Sequence, residues 1–179
     1  AASKAAADML LSTYARQYGF PLLTIRATNV YGARQQLFKI IPRTAIYLKI
    51  EKTVDLHGGG RAVKSYIHVR DVSRGVKAVL DQGRIGAIYH LSPDSGVAVR
   101  DVVAMMCRHA GRDFSQATRT VAERPGQDAA YVIDSSRARA ELGWAPAISL
   151  EEGLSEAIDW VAGNWGELGA CSLDYQHKE

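Results

Sequence analysis

Lys4 is the first side chain in the sequence that could do chemistry. It stands in a stretch rich in Ala, Leu and Met, which are strong helix formers, running from Ala1 to Tyr18. A residue directly before Ala1 would lie four positions from Lys4 on the same helical face. There an ammonium can touch a hydroxyl one turn away and favour its ionised form. Further on, Thr28-Asn29-Val30-Tyr31-Gly32 follows a β-rich apolar run at 22–27. A polar turn at the C-terminal end of a buried parallel strand is where open α/β sheets take their ligands. Arg124 sits in Glu123-Arg124-Pro125-Gly126-Gln127-Asp128, where a rigid Pro-Gly turn can hold a guanidinium to fork onto a phosphate.

The elements that must position these groups follow from periodicity and punctuation. The first helix stops at Gly19 and Pro21. Its apolar positions Ala6, Met9, Leu10, Tyr14 and Ala15 form a broad stripe that needs a partner. Residues 22–27 read as a buried strand. A loop from Gln35 leads into a helix ending at Lys49, with Pro42 in its first turn, where a missing N–H is harmless. Residues 53–57 read as a strand closed by Gly58-Gly59-Gly60 in a plain hairpin-like loop. No Gly-Lys-Ser/Thr follows, so this is not a phosphate loop. Alternation makes 66–69 a strand. Asp71 is the expected N-cap of a helix over 72–82, a structural rather than a catalytic role. A strand at 85–91, a helix at 99–111 with Met105 and Met106 as core filler, and a strand at 118–122 come next. A short helix spans 135–143. Ser149 opens a capping box for a last helix that turns Leu154, Ala157, Ile158 and Val161 inward. Past about Trp165 the pattern fades, and residues 166–179 are expected to be a loosely held tail.

Composition narrows the class. The 179 residues suffice for one domain with a real core, and 47% hydrophobic with 23% charged residues is ordinary for a globular protein. A net charge of +3, dispersed along the chain, implies no nucleic-acid partner and suits an anionic small molecule. Cys107 and Cys171 lack metal spacing and fit free thiols in a reducing compartment. His57, His68, His90, His109 and His177 are scattered, so no metal site is expected. No apolar run is long enough to span a membrane, and no signal peptide is visible.

Read together, these motifs resemble one family. Ala1-Ala2-Ser3-Lys4 is similar to the end of the Tyr-x-x-x-Lys signature of the short-chain dehydrogenases/reductases. Arg26-Ala27-Thr28-Asn29-Val30-Tyr31-Gly32, Ser65-Tyr66-Ile67-His68-Val69-Arg70-Asp71-Val72 and Arg124-Pro125-Gly126-Gln127-Asp128 resemble motifs of the extended, nucleotide-sugar-modifying branch, the NAD-dependent epimerases/dehydratases. The nearest resemblance is to 4,6-dehydratases of the dTDP-glucose type. The resemblance implies an α/β fold: the C-terminal part of an extended Rossmann-type fold, with its last parallel strands interleaved over residues 1–165 with a small α/β substrate-binding region. The signature tyrosine would precede Ala1.

The cofactor implied is NAD, with Lys4 catalytic, lowering the tyrosine's pKa and holding the nicotinamide ribose. Ala27, Asn29 and Val30 would lie at the nicotinamide end. On the substrate side the family pattern places Asn29 on a phosphate and Lys39 and Ile40 over the ligand. Asp55 and His57 come near the base, Lys64 stands where an Arg on the diphosphate is usual, and His90 where Asn is common. Arg124 and Gln127 fall in the phosphate-gripping loop. The reaction implied is oxidation at the sugar C4 followed by loss of water across C5–C6. A 4-epimerase or decarboxylase of the same family, or a non-catalytic binding or scaffold remnant, are the alternatives. Gly-x-Gly-x-x-Gly, the tyrosine, the upstream Ser/Thr and the Asp–Glu pair of the dehydratases are absent, so the 179 residues alone are expected to be inactive. The resemblance further implies a cytoplasmic homodimer formed through the helix 1–18, binding a nucleotide sugar.

Overall fold

The computed structural model describes residues 2–174. Ala1 at the start of the signature, His177 and the end of the expected tail lie outside the described residues. Short parallel strand pairs alternate with helices. Helix α1 (Ala2–Tyr18) leads to β1 (Thr24–Ala27) and β2 (Asn29–Tyr31), then α2 (Ile40–Lys49) and β3 (Val54–His57). A single 3-10 turn, Gly58–Gly60, precedes β4 (Val63–Lys64) and β5 (Tyr66–His68). There follow α3 (Val69–Gln82), β6 (Ile88–Leu91), β7 (Val97–Ala98), α4 (Val99–His109), α5 (Phe114–Ala117) and β8 (Thr118–Val121). The chain continues through β9 (Ala130–Tyr131), α6 (Ser136–Leu142), α7 (Leu150–Gly163) and α8 (Trp165–Leu168).

Strands β1 and β6, β2 and β5, and β3 and β8 pair in parallel, each joined through helical crossovers, as an α/β fold requires. Strand β4 lies between β7, antiparallel to it, and β9, parallel to it. The glycine turn after β3 is therefore not a hairpin. It carries the chain out of one sheet and into another.

Two apolar cores hold these pieces. One packs Ile41, Ala45, Ile46 and Leu48 of α2 against Val102, Val103 and Met106 of α4 and Leu154, Ala157 and Val161 of α7. Met105 is only partly buried beside this core. The other gathers Ile67, Val79, Tyr89, Leu91, Ala138, Leu142 and Trp144 around β5, β6, α3 and α6. The Ser149 hydroxyl accepts from the Glu152 N–H at 3.1 Å, capping α7.

Three expectations change. Asp71 is not a cap: His68 precedes the helix and its Nδ1 accepts from the Arg70 N–H at 3.3 Å. Asp71 sits inside the first turn, fully buried, where its carboxylate accepts from the Ala147 and Ile148 amides. Residues 166–174 are not loose either. Trp165, Leu168 and Leu173 pack against the first core, and the Leu173 carbonyl accepts from the Arg43 guanidinium. The third concerns α1, which buries no residue. Its stripe is unpartnered among the described residues, with Met9 72% and Leu10 69% exposed. The Arg26–Asp8 ion pair ties it to β1.

His68 also makes stability depend on pH. Burial is the largest influence on it and lowers its proton affinity in the fold, against the nearby Glu156 carboxylate, which raises it. The unfolded chain therefore takes up a proton, as pH falls through about 6.5, that the folded chain does not, and stability drops with it. Urea midpoints measured between pH 8 and pH 5.5 should fall for the native chain and fall less for His68→Asn. Parallel slopes for the two proteins would exclude this origin.

Candidate functional site

Strand β2 brings Asn29 to the site. The sequence suggests a turn here, but Asn29–Tyr31 pairs in register with Tyr66–His68 of β5. The Asn29 side-chain amide donates to the Ser65 carbonyl at 3.0 Å, which fixes the side chain at the strand end. From there a cavity of about 320 Å³ opens between β2, α2, the end of β3 and the loop after β8. Its wall includes Asn29, Val30, Lys39, Ile40, Asp55, His57, Lys64, Arg124 and Gln127, all of them expected from the sequence to be near the ligand.

The charges in this cavity are unequal. Lys39, Arg43, Lys64 and Arg124 line it, and Asp55 is the carboxylate among its lining residues. That carboxylate is already engaged. Arg119, opposite it on β8, donates through Nε at 2.5 Å and through a terminal nitrogen at 3.3 Å. The hydrogen bond from Arg119 holds the Asp55 carboxyl below its ordinary range. The cavity therefore favours an anion. Lys39, just ahead of α2, lies over the Phe38 ring with its ammonium 5.0 Å from the ring centre. Lys64 is held by the two neighbours of β4. Arg124 opens a turn closed by the Gln127 N–H donating to its carbonyl at 3.3 Å, and its own N–H donates to Glu123 at 3.1 Å. His57 is oriented by an Nδ1 contact of 3.0 Å with the Ala122 carbonyl.

Several wall residues were not foreseen. Gln35 donates to the Val30 carbonyl at 2.8 Å, yet its side-chain oxygen is buried without a partner among the described residues. The same holds for Arg43 Nε and for the Tyr66 hydroxyl, whose pKa burial pushes up to about 12. Buried polar atoms are normally paired, so this wall is suited to a polar ligand. Tyr66 stands inside a motif already singled out, and Gln35 only begins the loop that leads to α2. Arg43 had no signal beyond following Pro42.

The structure does not bring three expected residues to this cavity. His90 lies on β6 beside Arg26 of β1, and its Nδ1 meets the Asp134 carbonyl at 3.0 Å, which turns that ring nitrogen to the loop before α6. Ala27 ends β1, and Lys4 is exposed on α1. As candidates for NAD, these two and the Asn29–Val30 backbone offer one cation and the end of a parallel strand. They fit part of a dinucleotide. Among the described residues no Gly-x-Gly-x-x-Gly turn joins a strand to an α-helix to cradle its phosphates.

Known proteins share this fold. The family model described as GDP-mannose 4,6 dehydratase matches residues 1–157. The trifunctional UDP-glucose 4,6-dehydratase/UDP-4-keto-6-deoxy-D-glucose 3,5-epimerase/UDP-4-keto-L-rhamnose-reductase of Arabidopsis thaliana is 34% identical over 177 residues, 97% of this chain and 26% of that protein. The dTDP-glucose 4,6-dehydratase DesIV of Streptomyces venezuelae, crystallised with NAD bound, superposes with a TM-score of 0.87 at 34% identity, covering 92% of this chain and 51% of that one. The UDP-glucose 4-epimerase of Thermotoga maritima, solved with UDP-glucose, gives a TM-score of 0.85 at 25% identity over 90% of this chain and 52% of its own. The chain thus spans about a quarter of the trifunctional plant enzyme and about half of each solved relative. On these matches the chain belongs to the GDP-mannose 4,6 dehydratase family of extended short-chain dehydrogenases/reductases.

Proposed function

We propose that these residues form the nucleotide-sugar-binding portion of an NAD-dependent nucleotide-sugar 4,6-dehydratase. The observation that carries this reading is the convergence of Asn29, Lys39, Lys64 and Arg124 on one cavity whose carboxylate is bound by Arg119. Lys64 and Arg124 hold the diphosphate, Arg124 as a fork and Lys64 as a point charge. His57 and Asp55 lie toward the base. Asn29 orients the phosphate next to the sugar.

Lys4, Ala27, Asn29 and Val30 would hold the nicotinamide end of NAD, which when bound accepts the hydride from the sugar C4. The part of Lys4 is electrostatic: its ammonium holds a neighbouring hydroxyl in the ionised form that can remove a proton. The Thermotoga relative, a UDP-glucose 4-epimerase of the same fold solved with UDP-glucose, gives the epimerase reading a specific footing. By itself the 179-residue chain is expected to bind nucleotide sugar and not to turn it over.

The exposed stripe of α1 supports a homodimer through residues 1–18, and the two unpaired thiols suit a reducing, cytoplasmic setting. Among the described residues no helix is long and apolar enough to cross a membrane.

Titration calorimetry of the chain against UDP-glucose, dTDP-glucose, GDP-mannose and free glucose tests the reading. Saturable binding of at least one nucleotide sugar, with none of glucose, is expected. Equal heats for all four would overturn it. Sedimentation of the same sample reads the dimer, which Leu10→Glu should convert to monomer.

A further inference from the structure

Behind the triple-glycine turn lies a second hollow, of about 240 Å³, that the nucleotide-sugar reading does not use. Arg61, Arg100 and Arg119 line it together with the hydroxyl-bearing Thr118 and Thr120, and no carboxylate is among its lining residues. Each arginine comes from a different element. Arg61 follows the 3-10 turn, Arg100 is in the first turn of α4, and Arg119 is on β8. Gly60 is what lets the first two meet. A Cβ there would lie 2.9 Å from the Arg100 backbone nitrogen, and its φ of +68° disfavours a side chain in any case. Arg119 is paired with Asp55, while Arg61 and Arg100 have no ion pair or side-chain hydrogen bond among the described residues. The Thr118 hydroxyl already donates to the Phe114 carbonyl at 2.8 Å, so the donors left around the hollow are two unpaired guanidiniums and the Thr120 hydroxyl, and they match a phosphoryl group.

We propose that this hollow is a second anion site, separate from the nucleotide cavity, for a phosphoryl group carried as inorganic phosphate or pyrophosphate or as a small phosphate ester. The two sites stand back to back. Gly60 and Val99 face the first cavity, and Gly59, Arg61 and Arg100 face the second. The Asp55–Arg119 pair spans the wall between them, because Asp55 lines the first and Arg119 the second. An anion in the hollow draws Arg119 toward itself and leaves the Asp55 carboxylate less neutralised beside the nucleotide cavity. Anion binding therefore opposes nucleotide binding, and by linkage the reverse holds to the same extent. This antagonism rests on the nucleotide-sugar reading of the first cavity; the second site itself does not.

The test uses the Lys64→Ala/Arg124→Ala chain, whose first site is disabled. Pyrophosphate, inorganic phosphate and glucose 1-phosphate are each titrated calorimetrically, with sulfate as control. One-to-one binding of a phosphoryl compound is expected, with loss of at least about tenfold on adding Arg61→Ala/Arg100→Ala, since each charged contact is worth roughly a factor of ten or more. Both arginines are exposed, so the fold should survive; circular dichroism checks this. Arg61→Lys/Arg100→Lys, which keeps the charge and removes the forks, should fall between. Preference for glucose 1-phosphate over phosphate identifies an ester as the ligand, and the reverse identifies the free anion. No binding, binding that Arg61→Ala/Arg100→Ala leaves unchanged, or sulfate binding as well as any phosphoryl compound (an adventitious ion only) each overturns the site. With the native chain, pyrophosphate should weaken binding of the best nucleotide sugar, and Arg61→Ala/Arg100→Ala should remove that antagonism. If the native chain binds no nucleotide sugar while the double-alanine background still binds pyrophosphate, the first reading fails and this one stands.

Discussion

Replacing Lys64 and Arg124 together by alanine is expected to weaken nucleotide-sugar binding by roughly 100- to 1,000-fold, the largest functional effect we foresee for any pair in the cavity. A hydrogen bond to a charged group contributes about 1.5–3 kcal/mol, and each factor of ten is about 1.4 kcal/mol. Two such contacts on one diphosphate share a ligand and will not add fully. Among the described residues neither side chain has a hydrogen bond or ion pair inside the fold. The bonds that Arg124 makes to Glu123 and Gln127 use its backbone, and Lys64 has no ion pair among the described residues. The truncations should therefore leave folding almost unchanged. Lys64→Arg is informative on its own, because it restores the residue usual at this position in the resembled family and should hold or improve affinity. Calorimetry at two salt concentrations reads the result. The native chain should weaken with added salt and the double variant should respond less. A double variant that binds within threefold of native would mean that the diphosphate lies elsewhere.

Most of the cavity was legible because its residues fall in short motifs with strong local chemistry: a polar strand end at Asn29, a Pro-Gly turn after Arg124, a lysine ahead of an apolar helix. What was not legible depends on partners distant in sequence. Strands β4, β7 and β9 are two residues long, too short for alternation to show, and exist because each finds the others across the fold. Asn29 reads as a turn residue by composition, yet β5 recruits it into a ladder. His90 was placed at the nucleotide by family pattern, and the Asp134 carbonyl 44 residues later engages its ring. Helix α1 was legible as a helix, but sequence alone could not say that its apolar stripe would find no cover within the described residues. Within the described residues, the packing of the tail at Leu173 is hidden from the sequence for a similar reason. Leu173 has no periodic neighbours, and its place is set by Arg43, 130 residues earlier.

Asp71 shows the same dependence on distant partners, and its removal should be the most damaging single change to stability. Its carboxylate, inside the first turn of α3, accepts from the Ala147 N–H at 3.2 Å and the Ile148 N–H at 3.1 Å, and pairs with Arg74. Its backbone carbonyl accepts from the Trp144 indole at 3.0 Å. One buried group thus moors the segment between α6 and α7 to the start of α3, and with it the indole that closes the second core. Asp71→Ala leaves two amides without their acceptor and a guanidinium without its counter-charge. The expected cost is about 3–5 kcal/mol, read as a lower urea midpoint. Asp71→Asn keeps the shape but turns one acceptor into a donor facing an N–H, so it should also destabilise, by less. Both variants, while folded, should bind nucleotide sugar as the native chain does, because Asp71 faces a different hollow from the one holding Lys64 and Arg124. That separation distinguishes a mooring carboxylate from a ligand-binding one. A stable Asp71→Ala chain with impaired binding would assign Asp71 to the site instead.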